Sequence, residues 1–434
     1  MKRLFFVSAV LALFAVCSCQ PSPEDSKPGP EVTMVTSASD TETAVTSVSL
    51  NESIAIFGAN FVNVTSININ TVPVDIREAY ITENRIDLVV PRVIPDNPNN
   101  KLIITTSAGS VEFDLVVNLP VLKIYGFKND FADNGAVAEV VGENFDLYMI
   151  DKENATLKFN GAVVEMIECT ANMFSFTVPE GTPWPENFGK DFGYVSSGKY
   201  ENTNFIKDYG NKTSYLEVSS PGLEAPVTIP FREMGISILT NDEDTWYSGW
   251  WPTGIISAND FAADPNLAGI TPFFAWAGHV KLTTTEAWQY ENVTFIHWWI
   301  PEAARDIEAH PEDYVVKMEI LNPSTTPLAR YIRIGNPQIE GNADLSEHFM
   351  MWDPATSNGG IALNTMGKWQ TVSFEVKDLF WPLEAGKNTS LVLTETPAAT
   401  FDDETQFKIA LQREEPGDIE FYYWNIRIVK KIKL

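Results

Sequence analysis

One strand-and-turn unit occurs twice in this chain, and the spacing of its copies restricts the fold more than any other feature. Ser53-Ile-Ala-Ile-Phe-Gly58-Ala-Asn60-Phe61 is matched 84 residues later by Ala136-Val-Ala-Glu-Val-Val-Gly142-Glu-Asn144-Phe145. Each begins with period-2 apolar residues, the pattern of a strand with one buried face, and ends in Gly-x-Asn-Phe. Glycine permits a turn at the strand end, asparagine tolerates left-handed backbone, and the phenylalanine returns to the core. Downstream, Asp87-Leu-Val-Val-Pro91 matches Phe176-Thr-Val-Pro179 at an offset of 88, and Lys101–Thr106 matches Ser214–Ser219 at an offset of 113. Two β-domains in tandem follow. The second carries about 25 extra residues near Thr182 to Lys212, with Trp184, Phe188, Phe192, Tyr194 and Tyr200 among them. Packing of this loop on a neighbouring domain is the simpler reading; an added contact surface is the functional one. Pro221, Pro226 and Pro230 are expected to stiffen the exit.

The first residues describe an address. Lys2 and Arg3 precede an apolar run, Leu4 to Val16, too short to span a bilayer. Val16-Cys17-Ser18-Cys19 then resembles a bacterial lipobox, which implies cleavage after Ser18 and lipidation of Cys19. Cys169 is then the remaining cysteine, so no internal disulfide framework is expected, and a buried apolar role suits it better than that of a nucleophile. Residues 19–30 are Pro-rich and polar, the composition of a tether. Glu24-Asp25 resembles a surface-export signal of Bacteroidetes lipoproteins, which implies an outer-membrane, cell-surface location.

The chain has 434 residues and a formal net charge of −28. Such a surface repels nucleic acid and acidic polysaccharides, leaving a neutral ligand as the simpler partner. Strand formers and Pro, Gly and Asn turn residues dominate; the one helix-like stretch is Pro301 to Glu312. An all-β fold is expected, with domains at 31–118, 119–230 and 231–434. In the last, strands are read at Tyr314–Ile320, Tyr331–Ile334, Trp369–Val376, Phe407–Leu411 and Ile419–Ile428.

Eleven of the 12 tryptophans lie after residue 240. An indole is large, flat and apolar with one N–H. That combination covers the C–H face of a sugar and leaves its hydroxyls wet, so residues 231–434 are expected to bind glycan. Neighbours on a strand point to opposite faces, so one of Trp298 and Trp299 faces out, and likewise one of Trp250 and Trp251 if extended. The candidate binding residues are Trp276, Trp298 and Trp299, then Trp250, Trp251 and Trp352. Trp369 and Trp424, in regular closing strands, are expected in the core, and Trp381 fits either role. His297, Glu347, Asn336 and Arg333 are candidate polar partners.

These features together resemble a known family. The paired G-x-N-F and V-P motifs are similar to IPT/TIG domains, small immunoglobulin-like sandwiches. Gly367-Lys-Trp-Gln-Thr-Val-Ser-Phe374 and Phe421-Tyr-Tyr-Trp-Asn-Ile-Arg-Ile428 resemble closing strands of jelly-roll carbohydrate-binding modules. There the residue before the asparagine is commonly acidic, whereas here it is Trp424. With Tyr314–Ile320 and Phe349–Pro354, the order resembles Bacteroidetes surface glycan-binding lipoproteins of the type first named for xyloglucan. The resemblance implies two immunoglobulin-like spacers, a larger jelly-roll-like β-sandwich, and non-catalytic capture of a polysaccharide of the β-glucan, xyloglucan or mannan type. It also implies a lipid anchor in the outer membrane and a TonB-dependent transporter as partner.

No enzyme signature stands out: G-x-S-x-G, H-E-x-x-H and the P-loop are missing from the sequence. His279, His297, His310 and His348 lack metal-ligand spacing, and Asp242-Glu-Asp244 lacks the spacing of an EF-hand. Neither a metal nor a cofactor is expected. The rival reading is a lipid-anchored adhesin or envelope scaffold that uses its tryptophans as hot spots for a protein partner.

Overall fold

The computed structural model describes residues 28–185, 213–239, 254–272, 274, 276–287, 289–297, 310–324, 328, 332–335, 349–352, 363, 365, 367–376, 406–412 and 415–434. For Trp276, Pro311 and strands 236–239, 290–297, 332–335, 349–352 and 406–412, only the backbone is described. The described residues are almost entirely antiparallel β-structure and divide into two compact units, Met1–Pro120 and Val121–Leu434.

The repeat is a structural repeat. In the first unit, strands Val72–Pro73, Val64–Ile69, Lys101–Thr106 and Gly109–Asp114 form one sheet in that order. The second unit repeats it with Ala162–Val164, Thr156–Phe159, Ser214–Ser219 and Val227–Phe231. The facing sheets correspond as well: Glu31–Ser37, Ser53–Ala59 and Arg85–Val89 match Lys123–Phe127, Val137–Glu143 and Met173–Thr177. Each pair encloses its own core, around Ile54, Ile56, Phe61, Ile86 and Leu102 in the first and Val140, Phe145, Phe159, Phe174 and Phe176 in the second. Cys169 is half-buried at the edge of the second core rather than inside it.

The Gly-x-Asn-Phe motif works by a different device from a glycine-permitted turn. A Cβ on Gly58 would sit 1.8 Å from the Glu31 carbonyl oxygen and 2.6 Å from the Phe61 ring, and one on Gly142 would sit 2.1 Å from the Lys123 oxygen and 2.6 Å from the Phe145 ring. The glycine is there for close approach: the partner strand is bulged opposite it and the phenylalanine folds back under it. The asparagines do supply left-handed backbone, with φ of 61° at Asn60 and 66° at Asn144. Their side-chain amides donate to the carbonyls of Gly29 and Val121. Both phenylalanines are fully buried. In the Val-Pro motif, Val90 donates to Glu52 and accepts from Asn51, just as Val178 donates to Ala136 and accepts from Gly135. Asn51 and Gly135 are both left-handed.

Pro230 does not lie in a linker. It pairs with Tyr215 inside Val227–Phe231, the edge strand of its sheet, where a missing N–H is tolerated. The next region begins at once: Arg232 and Met234 are buried, and Ile236–Leu239 pairs with the closing strand Gly417–Lys430.

That closing strand organises the C-terminal β-sandwich. One sheet runs Ile255–Ser257, Trp276–Thr284, Gly417–Lys430, Tyr314–Leu321, Gln370–Glu375, with Ile236–Leu239 also paired to the closing strand. The second runs Tyr290–His297, Gln406–Gln412, Ile332–Gly335, Phe349–Trp352. Every expected strand of this region is present. Of the expected helix at 301–312, residues 301–309 lie outside the described residues, and Pro311–Asp313 forms a 3-10 turn. A short helix the sequence reading missed, Ala258–Ala263, starts at Ser257, whose hydroxyl accepts from the Asp260 N–H.

Replacing Gly142 with Ala is expected to cost the second sandwich about 1–3 kcal/mol through overpacking against backbone and ring. Urea unfolding followed by tryptophan emission should show a lower midpoint, and an unchanged midpoint would contradict the close-approach reading.

Candidate functional site

The outer face of the six-stranded sheet is built by alternation. Leu321, Glu319 and Lys317 project from one strand, Tyr422, Trp424 and Arg427 from the next, and Thr371 from the third. Asn425, at φ 55°, breaks the closing strand between Trp424 and Arg427, and the pairing shifts register there. An aromatic cluster covers the upper part of this face. Phe261 and Phe274 meet edge-to-face at 5.2 Å, Phe261 stacks on Trp369 at 6.0 Å, and Phe274 lies 6.4 Å from Trp424. Trp369 and Trp424 are 5% and 7% exposed, which settles them as core residues. Gly278, on the strand Trp276–Thr284, leaves room for the Tyr423 ring, which a Cβ would meet at 2.3 Å.

Further along, the same face is polar and reachable. His279 stacks on Tyr422 with centroids 4.3 Å apart, and its Nε2 lies 2.9 Å from Glu420 Oε1. Lys281 pairs with Glu420 at 3.3 Å, and the Thr283 hydroxyl donates to Asp418 at 2.6 Å. Burial and the Glu420 carboxylate push the Tyr422 hydroxyl pKa well above its ordinary value. The row offers donors and acceptors of the kind a polyol needs. The sequence reading passed over His279 and Glu420; the alternation His279, Lys281, Thr283 on the Trp276 strand was the signal for them.

Of the candidate tryptophans, two are placed on strands. Trp276 begins Trp276–Thr284, in register with Ser257 at the helix cap. Trp352 ends Phe349–Trp352 in the other sheet, on the rung of Ile332, Leu411 and Glu291. His297 ends its strand on the rung of Gln406, at the opposite end of that sheet. The register therefore does not bring Trp352 level with the end of the His297 strand. Trp250, Trp251, Trp298 and Trp299 lie outside the described residues, as do Trp381, Asn336, Glu347 and Asp242–Asp244. Arg333 lies within Ile332–Gly335, beside Met351 in register. Trp184, the first aromatic of the inserted segment, packs against the aromatic cluster and lies under the Arg232 guanidinium at 3.4 Å. Among the described residues, no cluster of His, Cys, Asp and Glu is arranged to hold a metal ion.

Residues 231–430 match the family model of the surface glycan-binding protein B xyloglucan binding domain. These 200 residues, a little under half of the chain, therefore carry a surface glycan-binding protein B domain. Among solved structures, it is similar to a surface glycan-binding protein B of Prevotella bryantii at 17% identity and a TM-score of 0.44, over 93% of this chain and 99% of that one. It is similar to one from a complex xyloglucan utilization locus in Bacteroides uniformis at 16% identity and a TM-score of 0.38, over 93% of this chain and 100% of that one. A third, from the mixed-linkage glucan utilization locus of Bacteroides ovatus in complex with a mixed-linkage heptasaccharide, is 12% identical with a TM-score of 0.23, over 88% of this chain and 73% of that one. No curated protein matches the chain. The surface glycan-binding protein B domain thus coincides with the two-sheet sandwich built around the closing strand.

Substituting Trp369 or Trp424 with Ala is expected to destabilise this domain by about 3–5 kcal/mol. Chemical denaturation of each variant checks this. A fully stable variant with weakened glycan binding would move that ring from the core to the binding face.

Proposed function

We propose that this protein captures a neutral polysaccharide of the β-glucan, xyloglucan or mannan type at the cell surface, without cleaving it, and presents it to a TonB-dependent transporter. The observation that carries this reading is the match of residues 231–430 to the xyloglucan binding domain of surface glycan-binding protein B. The tryptophan loading of that stretch and the net charge of −28 support a neutral, ring-stacked ligand over an anionic one. In this reading residues 1–18 are a lipoprotein leader, Cys19 carries the lipid, and 19–30 are a tether. Domains 31–118 and 119–230 raise the binding domain, 231–434, above the outer membrane. Trp276, Trp298 and Trp299 form the first choice of sugar platform, with Trp250, Trp251 and Trp352 behind them. A stacked ring contributes on the order of 0.5–1.5 kcal/mol beyond its area. Two or three such rings with hydrogen bonds give binding no tighter than about micromolar, strong enough to capture and weak enough to hand on.

The test is affinity electrophoresis of the soluble chain from Gln20 through gels containing xyloglucan, mixed-linkage glucan, mannan, xylan or laminarin. Retardation is expected in xyloglucan or mixed-linkage glucan, with no release of reducing ends. The double variant Trp298→Ala, Trp299→Ala should stay folded and migrate freely. A folded parent that is retarded in no gel would turn the reading toward an adhesin with a protein partner.

A further inference from the structure

The loop after Lys123–Phe127 leaves its own sandwich and enters the C-terminal domain. Phe131, fully buried, joins the aromatic cluster of that domain and meets Trp424 edge-to-face at 5.5 Å. Asp130, also fully buried, accepts from Lys317 at 2.9 Å and from Arg427 at 2.7 Å. Its backbone N–H donates to the Thr371 hydroxyl, and the Thr371 N–H donates to the Lys128 carbonyl. Arg427 reaches Glu319 at 2.8 and 2.9 Å, and its Nε donates to the Glu233 carbonyl. At the rim, Arg232 donates to the carbonyls of Thr182, Pro183 and Ala132.

Charge does not balance in this joint. Three carboxyls, Asp130, Glu319 and Glu233, face two cations, Lys317 and Arg427. The other charged groups around it are spoken for: Lys128 pairs with Glu139, Lys431 with Glu375, and Arg232 senses Asp133. Two buried carboxyl oxygens, Asp130 Oδ1 and Glu233 Oε2, find no donor among the described residues. An acceptor deprived of water and of a donor favours a proton.

We propose that the Asp130–Phe131 plug is a proton-held latch, seated while the carboxyl cluster keeps one proton and loosened as that proton leaves with rising pH. The inference rests on the joint alone and stands whether or not the domain binds glycan. Burial pushes the Glu319 carboxyl from its ordinary 4.5 up to about 7, against the pull of Arg427, and pushes Glu233 in the same direction. Both carboxyls feel the same Asp130, Lys317 and Arg427, so the proton is assigned to the cluster and not to either residue. A carboxyl raised on folding contributes stability in full below its unfolded value and loses it as pH rises through the folded value. The window therefore runs from about pH 4.5 to about 7.

Every tryptophan lies at or beyond Trp184, so tryptophan emission follows this unit and is blind to the first sandwich. Thermal unfolding of the soluble chain from Gln20, read by that emission, should show a Tm about 5 °C lower at pH 8.5 than at pH 5. Glu233→Gln leaves two carboxyls against two cations and should flatten the profile. Glu415→Gln removes the same charge from an exposed position and should keep the parent slope. Hydrogen exchange, corrected for intrinsic pH dependence, should rise at 128–136 while Thr156–Phe159 stays protected. A flat parent profile, a Glu233→Gln variant with the parent slope, or exchange that rises equally in both segments would each overturn the latch.

Discussion

The arrangement of residues 121–434 depends on one buried ionic joint. Arg427 has no exposed surface and is satisfied from three directions: Asp130 from the preceding sandwich, Glu319 from the adjacent strand, and the Glu233 carbonyl from the junction. Burying such a set against hydrocarbon seldom adds net stability over a well-packed apolar core. What it adds is uniqueness. An apolar patch tolerates sliding, whereas a displaced Asp130 would strand two buried cations. The cost of an unpaired buried charge, several kcal/mol, is far larger than that of a slipped methyl contact. The joint thus fixes how the second sandwich meets the glycan-binding domain, with Phe131 contributing the apolar part of the seat.

The repeated sandwiches show how little sequence is needed to specify a fold when each residue meets a hard constraint. Gly58 and Gly142 cannot be anything larger because backbone oxygen and a phenylalanine ring occupy the space of a Cβ. Asn60 and Asn144 hold left-handed backbone and use their amides to tie down a neighbouring chain. Around these fixed points the remaining positions need only alternate. Hence the two copies share few residues yet the same strand order.

The fold of this chain was legible because strand period and turn chemistry are local signals. Tyr314–Leu321, Gln370–Glu375 and the closing strand could be read as strands from the sequence, and Trp369 and Trp424 could be assigned to the core from their regular strands. The joint was not legible. Asp130 and Arg427 are 297 positions apart, and no periodicity links a loop acid in one domain to a strand arginine in another. The expected stiffening by proline was misplaced for the same reason: Pro230 sits inside an edge strand, and rigidity comes from side chains folded across the boundary. The site was half legible. Tryptophan content pointed to the right domain, but a count of rings cannot say which face each takes. Trp352 and the end of the His297 strand proved to lie at opposite ends of one sheet.

For a surface glycan-binding protein B domain the location of stiffness has a consequence. A binding domain swinging freely on a tether loses orientational entropy whenever a polymer is held at two points, and that loss weakens the second contact. Docking the domain on the sandwich before it removes one such degree of freedom in advance. A polymer held by the docked domain keeps a constant orientation relative to that sandwich. This stiffness follows from where the buried charges are: clustered between residues 130 and 427, within the unit that carries the matched domain.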